Sequence, residues 1–266
     1  MFNQKKIFVL ITGKLRFLDQ KNILRLKSSF ENFKLDFFVL AWKGQKQSII
    51  DEFKKHYKPI FYREIDEYNF NHIVEKIKYP DGAVKTENIL HVWKGISEAV
   101  KYLKNFYPSK NKKPFYILRY RSDILPKLNS EFLKKKLNNR EILIPDRYHW
   151  NGLNDQIFLL RYDDFILFDE IDEFIKKHIR NNRFFCSEYI FQQFLRKQKF
   201  KIKFSQFDYN LMKFKNQNKP FSDIKTKKPI VDWFNCKINK LKYKLRNFNE
   251  HYIKKKYRNK NQDIEI

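Results

Sequence analysis

Arg119, Arg121 and Asp123 stand at alternate positions at the end of the apolar run "FYILRYRSDILP". The two-residue period of a strand would place all three on one face and carry them to the strand's C-terminal end. Guanidinium forks grip phosphate oxygens bidentately, and a carboxylate between them would take a metal ion or a sugar hydroxyl. The blander alternative is an internal Arg–Asp ion pair that only orders a loop. A buried ionic cluster is weak evidence for stability but fair evidence for a site. A second apolar run, "IFVLITGKLR", ends in Thr12, Gly13, Lys14 and Arg16. There Gly13 lets the backbone approach a ligand closely, and Lys14 and Arg16 add cations suited to phosphate.

A third constellation lies in "IPDRYHWNGLNDQIFLLRYDDF". Asp146, Trp150, Asn151, Gly152, Asn154 and Asp155 form a glycine-containing loop between two apolar runs, with an aromatic ring to stack on a sugar or base. The same composition also makes an ordinary turn. Asp155 immediately precedes the second run, which puts its carboxylate at a strand mouth. Further on, Ser187 and Glu188 open an amphipathic helix in "CSEYIFQQFLRKQKFKIKF", with Tyr189, Gln192 and Gln193 as candidates to face a cleft. Ser187 fits an N-cap, and Glu188 complements the helix dipole.

These residues need a scaffold, and the first two thirds of the chain supply one. "KIFVLITG", "LDFFVLAW", "KPIFYRE", "PFYILRYRSD", "REILIPD" and "DQIFLLRY" read as strands, several as continuous apolar runs that mark strands covered on both faces. Helical patterns lie between them: "DQKNILRLKSSFENF", "KQSIIDEFKKHY" and "ENILHVWKGISEAVKYLKNF". In the last of these, Ile89, Trp93, Ile96, Val100 and Leu103 share one face. The β-α-β-α order predicts an α/β fold with a mainly parallel sheet flanked by helices and right-handed crossovers. Ligands of such sheets bind beyond the C-terminal strand ends, where the two polar strand ends would converge on one crevice.

The chain has 266 residues, 42% hydrophobic and 18% aromatic, enough for a sizeable core without a disulfide or metal staple. Its two cysteines, Cys186 and Cys236, are too few and too far apart for a disulfide framework or zinc spacing, which fits a reducing compartment. The basic, apolar N-terminus is of strand length, stops at Gly13 and Lys14, and has no small-residue cleavage site. No stretch approaches the roughly 18 apolar residues of a membrane span. A cytoplasmic location is expected, with peripheral attachment at the inner face of the cytoplasmic membrane as an extension of it.

The formal net charge of +27 invites a nucleic-acid reading. The abundance of Lys, Asn, Ile, Phe and Tyr together also reflects A/T-rich codons, the lysines are spread over the whole chain, and no known binding motif is present. No specific nucleic acid is expected. The chain divides into residues 1–212, carrying the candidate site, and residues 213–266. In that second region Ile230, Trp233, Phe234, Ile238, Leu241, Leu245, Phe248 and Tyr252 recur at helical spacing against a lysine-rich face. Such a basic amphipathic helix is either an attachment to an anionic membrane interface or a helix packed on the domain.

Taken together, the motifs resemble bacterial glycosyltransferases of surface-polysaccharide loci, including the WavE-like lipopolysaccharide-synthesis proteins. The resemblance rests on Thr12, Gly13 and Arg16; on Asp36, Phe38 and Trp42; on Arg119, Arg121 and Asp123; on Gly152, Asn154, Asp155 and Gln156; and on Ser187 with Glu188. It implies a GT-A-like fold, a nucleotide-sugar donor, and transfer to a capsular or lipopolysaccharide glycan, lipid-linked or not. Donor contacts would come from Thr12, Gly13, Lys14, Arg16, Arg119, Arg121 and Asp123, and acceptor contacts from Trp150, Asn151 and Asn154. Asp155 or Glu188 would deprotonate the acceptor hydroxyl, Asp155 being the first choice. "RSD" occupies the place where GT-A enzymes carry a metal-binding Asp-x-Asp, with Arg121 in place of the first Asp. Asp123 alone implies a weak Mg²⁺ or Mn²⁺ site or none, with the arginines neutralising the leaving diphosphate. The competing reading is a nonenzymatic polyanion-, glycan- or nucleic-acid-binding protein.

Overall fold

The computed structural model describes residues 6–16, 20–78, 80, 85–106, 115–127, 136–146, 152–205, 207 and 209–211. Its strands are β1 (Lys6–Gly13), β2 (Lys34–Trp42), β3 (Phe61–Ile65), β4 (Tyr116–Tyr120), β5 (Ile124–Pro126), β6 (Glu141–Pro145), β7 (Ile157–Arg161), β8 (Lys201–Ser205) and β9 (Tyr209–Leu211). The helices are α1 (Gln20–Ser28), α2 (Gln47–Tyr57), α3 (Asn71–Val74), α4 (Thr86–Phe106), α5 (Tyr162–Phe165), α6 (Ile171–Arg180) and α7 (Ser187–Lys197). Each of the six apolar runs is a strand, and the three helical patterns contain α1, α2 and α4. No helix among the described residues is long and apolar enough to cross a membrane.

Seven strands form one sheet in the order β3-β2-β1-β4-β7-β6-β8, and β5 pairs with β9 apart from it. β1 is parallel to β2 and β4, β2 to β3, and β6 to β8; only β7 runs antiparallel, against both β4 and β6. The fold is therefore α/β with a mainly parallel sheet flanked by helices. Successive side chains of a strand point to opposite faces, and β1 divides accordingly. Phe8 and Leu10 join the core that includes Trp93, Ile96 and Val100 of α4 and Phe191 and Phe194 of α7. Ile7, Val9 and Ile11 join the core that includes Ile23 and Leu26 of α1 and Ile50 and Phe53 of α2. Burial on both faces is what makes β1 and β2 read as unbroken apolar runs. The five α4 residues expected on one face are all buried in the first of these cores.

Only part of the stretch expected as one amphipathic helix after Cys186 is helical. α7 stops at Lys197, Lys199 takes a left-handed φ of 58° in the turn, and "KIKFS" enters the sheet as β8 beside β6. The segment that leads into α7 is tied down from behind by His178. Its Nε2 is 2.8 Å from the Phe184 carbonyl, and Nδ1 is buried without a partner among the described residues. Burial pushes this imidazole below its ordinary value of 6.5, with Arg183 adding to the fall and the Phe184 carbonyl opposing it. Unfolding restores the ordinary pKa, so in the window between the two values the unfolded chain binds more protons than the folded one. Stability is thus full above about pH 6.5 and falls as pH drops through that value toward the folded-state pKa. In His178→Phe, melting curves recorded from pH 7.5 to 5 should lose part of this slope; an unaltered slope would remove His178 as its source.

Candidate active site

Only Arg119 of the opening trio lies in a strand. β4 ends at Tyr120, and Arg121 to Asp123 form a tight turn closed by the Ile124 N–H donating to the Arg121 carbonyl at 3.1 Å. The single-face expectation is corrected accordingly. The physical cause lies within the turn: Arg121 folds back over it, donating from Nε to Asp123 Oδ1 at 2.9 Å and from Nη2 to Oδ2 at 2.6 Å. Arg16 reaches the same oxygen through Nη1 at 3.3 Å. Asp123 is buried, whereas the Arg121 and Arg16 side chains remain 33% and 48% exposed. The carboxylate is therefore covered while the cations keep faces toward solvent.

Ser122, which the sequence did not single out, stitches this turn to the end of β1. Its hydroxyl donates to the Lys14 carbonyl at 3.0 Å and accepts the Arg16 N–H at 3.1 Å. Gly13 has a φ of +100°, a conformation L side chains rarely adopt, and a Cβ there would meet the Trp42 indole nitrogen at 3.3 Å. Glycine thus turns the chain off β1 against the end of β2, and the backbone then runs straight to Ser122 and Asp123. Thr12 is half-buried and lies against Gly95 of α4. Lys14 points elsewhere, to an exposed ion pair with Glu67 at 3.3 Å.

Arg119 is 1% exposed, donates from Nη1 to the Tyr120 carbonyl at 2.7 Å, and keeps a buried Nε without a partner among the described residues. Burial pushes it down to about 10; the charge of Arg121 adds to the fall, and Asp155 and Asp123 oppose it. For Arg121 burial acts in the same direction, but the Asp123 charge and hydrogen bonds outweigh it and raise the pKa. Asp155 is buried too. Its pKa is raised by burial, while the Ser187 hydroxyl, Arg121 and Arg119 hold the rise back.

Asp155 reaches this cluster because β7 is antiparallel. Tyr120 pairs with Ile157, so the residues before β7 meet those after β4, and the Arg121 N–H donates to the Gln156 carbonyl at 3.2 Å. The start of α7 closes the other side. Ser187 is not the N-cap: Cys186 holds that position without a side-chain cap, and Ser187, the first helical residue, donates its hydroxyl to Asp155 Oδ2. The carboxylate is the stronger acceptor-side partner for a buried hydroxyl, which explains the departure. Gly152 makes the approach possible, since a Cβ there would sit 2.2 Å from the Glu188 carbonyl oxygen and 2.6 Å from the Tyr189 nitrogen.

No family model matches the chain, and no curated protein matches it. Solved structures do. A crystal structure of the galactosyltransferase LgtC in complex with donor and acceptor sugar analogs is 12% identical, with 70% of this chain and 69% of that chain covered and a TM-score of 0.39. The apo-form glycosyltransferase GlyE of Streptococcus pneumoniae TIGR4 is 11% identical over 75% of this chain, with a TM-score of 0.40; the match spans 45% of GlyE's length.

Of the residues picked from the sequence, Arg16, Arg119, Arg121, Asp123, Asp155 and Ser187 come together. Asn154, expected on the acceptor side, is fully buried and structural. Its Nδ2 donates to the Tyr209 hydroxyl at 2.6 Å and its Oδ1 accepts the Gln156 N–H at 2.9 Å. The Tyr209 hydroxyl in turn lies 3.2 Å from Gln156 Oε1. Tyr209 stands far along the chain in a short strand, and nothing in its local pattern marks it. Glu188 is half-buried: its carboxylate accepts the Cys186 thiol at 2.8 Å, and its carbonyl accepts the Leu153 N–H at 3.1 Å. It braces the Gly152 loop. Trp150, Asn151 and the whole of residues 213–266 lie outside the described residues, as does the membrane-attachment expectation that rests on them.

Among the described residues, Asp123 is poorly placed to hold a divalent ion. Both oxygens of Asp123 are engaged by Arg121 and one also by Arg16, and among the described residues no three His, Cys, Asp or Glu side chains converge to hold a metal.

Proposed function

We propose that the chain is a glycosyltransferase that moves a sugar from a nucleotide-sugar donor to a glycan acceptor, lipid-linked or free, in the assembly of a bacterial capsule or lipopolysaccharide. The observation that carries this reading is the meeting of a three-arginine cluster with a buried carboxylate at the C-terminal mouth of a mainly parallel sheet, where ligands of such sheets bind. A GT-A-like arrangement of the donor follows from it, with the diphosphate over the β1 and β4 ends.

Each group then has a task. Asp123 holds the Arg121 and Arg16 forks in place before a ligand arrives, so little ordering is left to the binding step. The exposed faces of those forks take the phosphate oxygens, and the unpartnered Nε of Arg119 deepens the positive potential beneath them. As the bond from sugar to diphosphate breaks, these cations stabilise the charge that develops on the leaving group. Asp155 accepts the acceptor hydroxyl's proton, and its raised pKa makes it a better base than an ordinary carboxylate. Since Asp123 is committed to arginine, the diphosphate is neutralised without a divalent ion.

Thermal melting with a panel of nucleoside diphosphates and nucleotide sugars, with Mn²⁺ or with EDTA, tests this directly. One nucleoside diphosphate and its sugar at 100 times Kd should stabilise the chain by about 2.7 kcal/mol. For a domain of this size that is a rise of roughly 5–10 °C. EDTA should leave the rise unchanged. A rise that requires Mn²⁺ would overturn the metal-independent part, and none with any nucleotide would return the chain to the binding-module reading.

A further inference from the structure

A pocket of about 520 Å³ lies between α3, α4 and α6, and none of the arginines or carboxylates of the crevice lines it. Its volume falls within the roughly 300–1,000 Å³ of ordinary small-molecule sites. The floor is apolar: Phe70, Ile73, Leu90, Ile175 and Ile179. Around it stand four cations, Lys76, Lys94, Lys176 and Arg180, against two carboxylates, Asp172 and Glu173. Both carboxylates already have partners, Asp172 in Lys94 at 2.8 Å and Glu173 in Lys176 at 2.5 Å. Lys76 and Arg180 are exposed and form no ion pair among the described residues. They are the surplus charge at the rim.

We infer that this pocket binds an aliphatic phosphate, its hydrocarbon chain on the Phe70, Leu90, Ile175 and Ile179 floor and its anionic head at Lys76 and Arg180. A purely polar anion would leave the floor without a complement, and a neutral hydrocarbon would leave the rim cations without one. An aromatic base is a poorer occupant because the Phe70 ring is already engaged by His91, centroids 4.9 Å apart, and by Tyr68 at 6.0 Å. A relay of ring contacts runs from the pocket toward the end of β1. α4 returns the chain from β3 to the parallel strand β4, so the α4 residues lining the pocket, Leu90 and Lys94, stand in its half nearer the C-terminal strand ends. His91 links Phe70 to Trp42, 5.3 Å away, which in turn abuts Gly13. The inference stands on the pocket alone and does not require that the crevice transfer sugars.

Calorimetric titration of the full chain with dodecyl phosphate, octyl phosphate, dodecanol and inorganic phosphate decides it. Each methylene buried is worth about fourfold in affinity, so octyl phosphate should bind at least about tenfold more weakly than dodecyl phosphate, and inorganic phosphate should not compete. The double variant Lys76→Glu, Arg180→Glu, on exposed positions, should weaken dodecyl phosphate at least about tenfold while leaving dodecanol unchanged. Ile179→Trp, which fills the floor, should abolish both. Arg121→Ala should bind dodecyl phosphate like the native chain, which separates failure of this pocket from failure of the crevice. Equal affinities for the octyl and dodecyl phosphates, or for dodecanol and dodecyl phosphate, would overturn the proposal. So would native affinity in the double variant.

Discussion

Arg121→Ala should lower sugar transfer by about 10²–10³-fold, the usual loss when one group aimed at developing charge is removed from a water-poor site. The fold should survive. Arg121 is one third exposed at the side chain, and in its absence Arg16 still reaches Asp123. Two hydrogen bonds to a charged group are lost, each worth on the order of 1.5–3 kcal/mol at most and less for an exposed partner. Arg121→Lys keeps the charge but not the fork and should recover only part of the rate. Asp123→Ala is a harsher test of the fold. It removes a buried carboxylate that both Arg121 and Arg16 bond, and because those two side chains are 33% and 48% exposed the cost should fall below the about 3–5 kcal/mol of a fully buried pair. Steady-state transfer assays beside thermal melts separate the two effects. Transfer at native rate by folded Arg121→Ala would remove the arginine turn from the site.

Gly152→Ala should separate Asp155 from Ser187. The added methyl group would overlap the Glu188 carbonyl, which is backbone at the start of α7 and not a flexible side-chain tip. Either the loop before β7 or the first turn of α7 must move. Overpacking of this kind costs about 1–3 kcal/mol, a fall of roughly 2–12 °C in melting temperature for a domain of this size. Transfer should fall further than stability, because Asp155 loses the Ser187 hydroxyl that holds its carboxylate in position. Ser187→Ala is the matching variant: it removes the hydroxyl and leaves the helix seated. If Gly152→Ala retains native melting and native transfer, the close packing does not hold the carboxylate.

How much of this was legible follows from what each signal reports. Apolar runs such as "KIFVLITG" report burial on both faces, which only a covered strand provides, so the elements of the parallel half were readable residue by residue. The arginine turn was found for a related reason: charge at the end of an apolar run stands out. Its geometry was not, because strand periodicity predicts alternation, and the Arg121 fork over Asp123 ends β4 at Tyr120 before the alternation is complete. Asn154 was misplaced because a buried amide and a sugar-binding amide look alike in sequence. They differ only in whether Tyr209, 55 residues on, covers them.

The sequence by itself determined that the chain is α/β with a mainly parallel sheet, and that two strands end in phosphate-seeking groups. It also supplied Asp155, Gly152 and Ser187, without their relation to one another. The tertiary structure decided that relation through the direction of one strand. In a parallel β7, Asp155 would lie at the edge of the sheet remote from Arg119 and Arg121; antiparallel pairing of Tyr120 with Ile157 brings it beside them. Strand direction depends on which neighbours hydrogen-bond across the whole sheet, and no local pattern of residues encodes it.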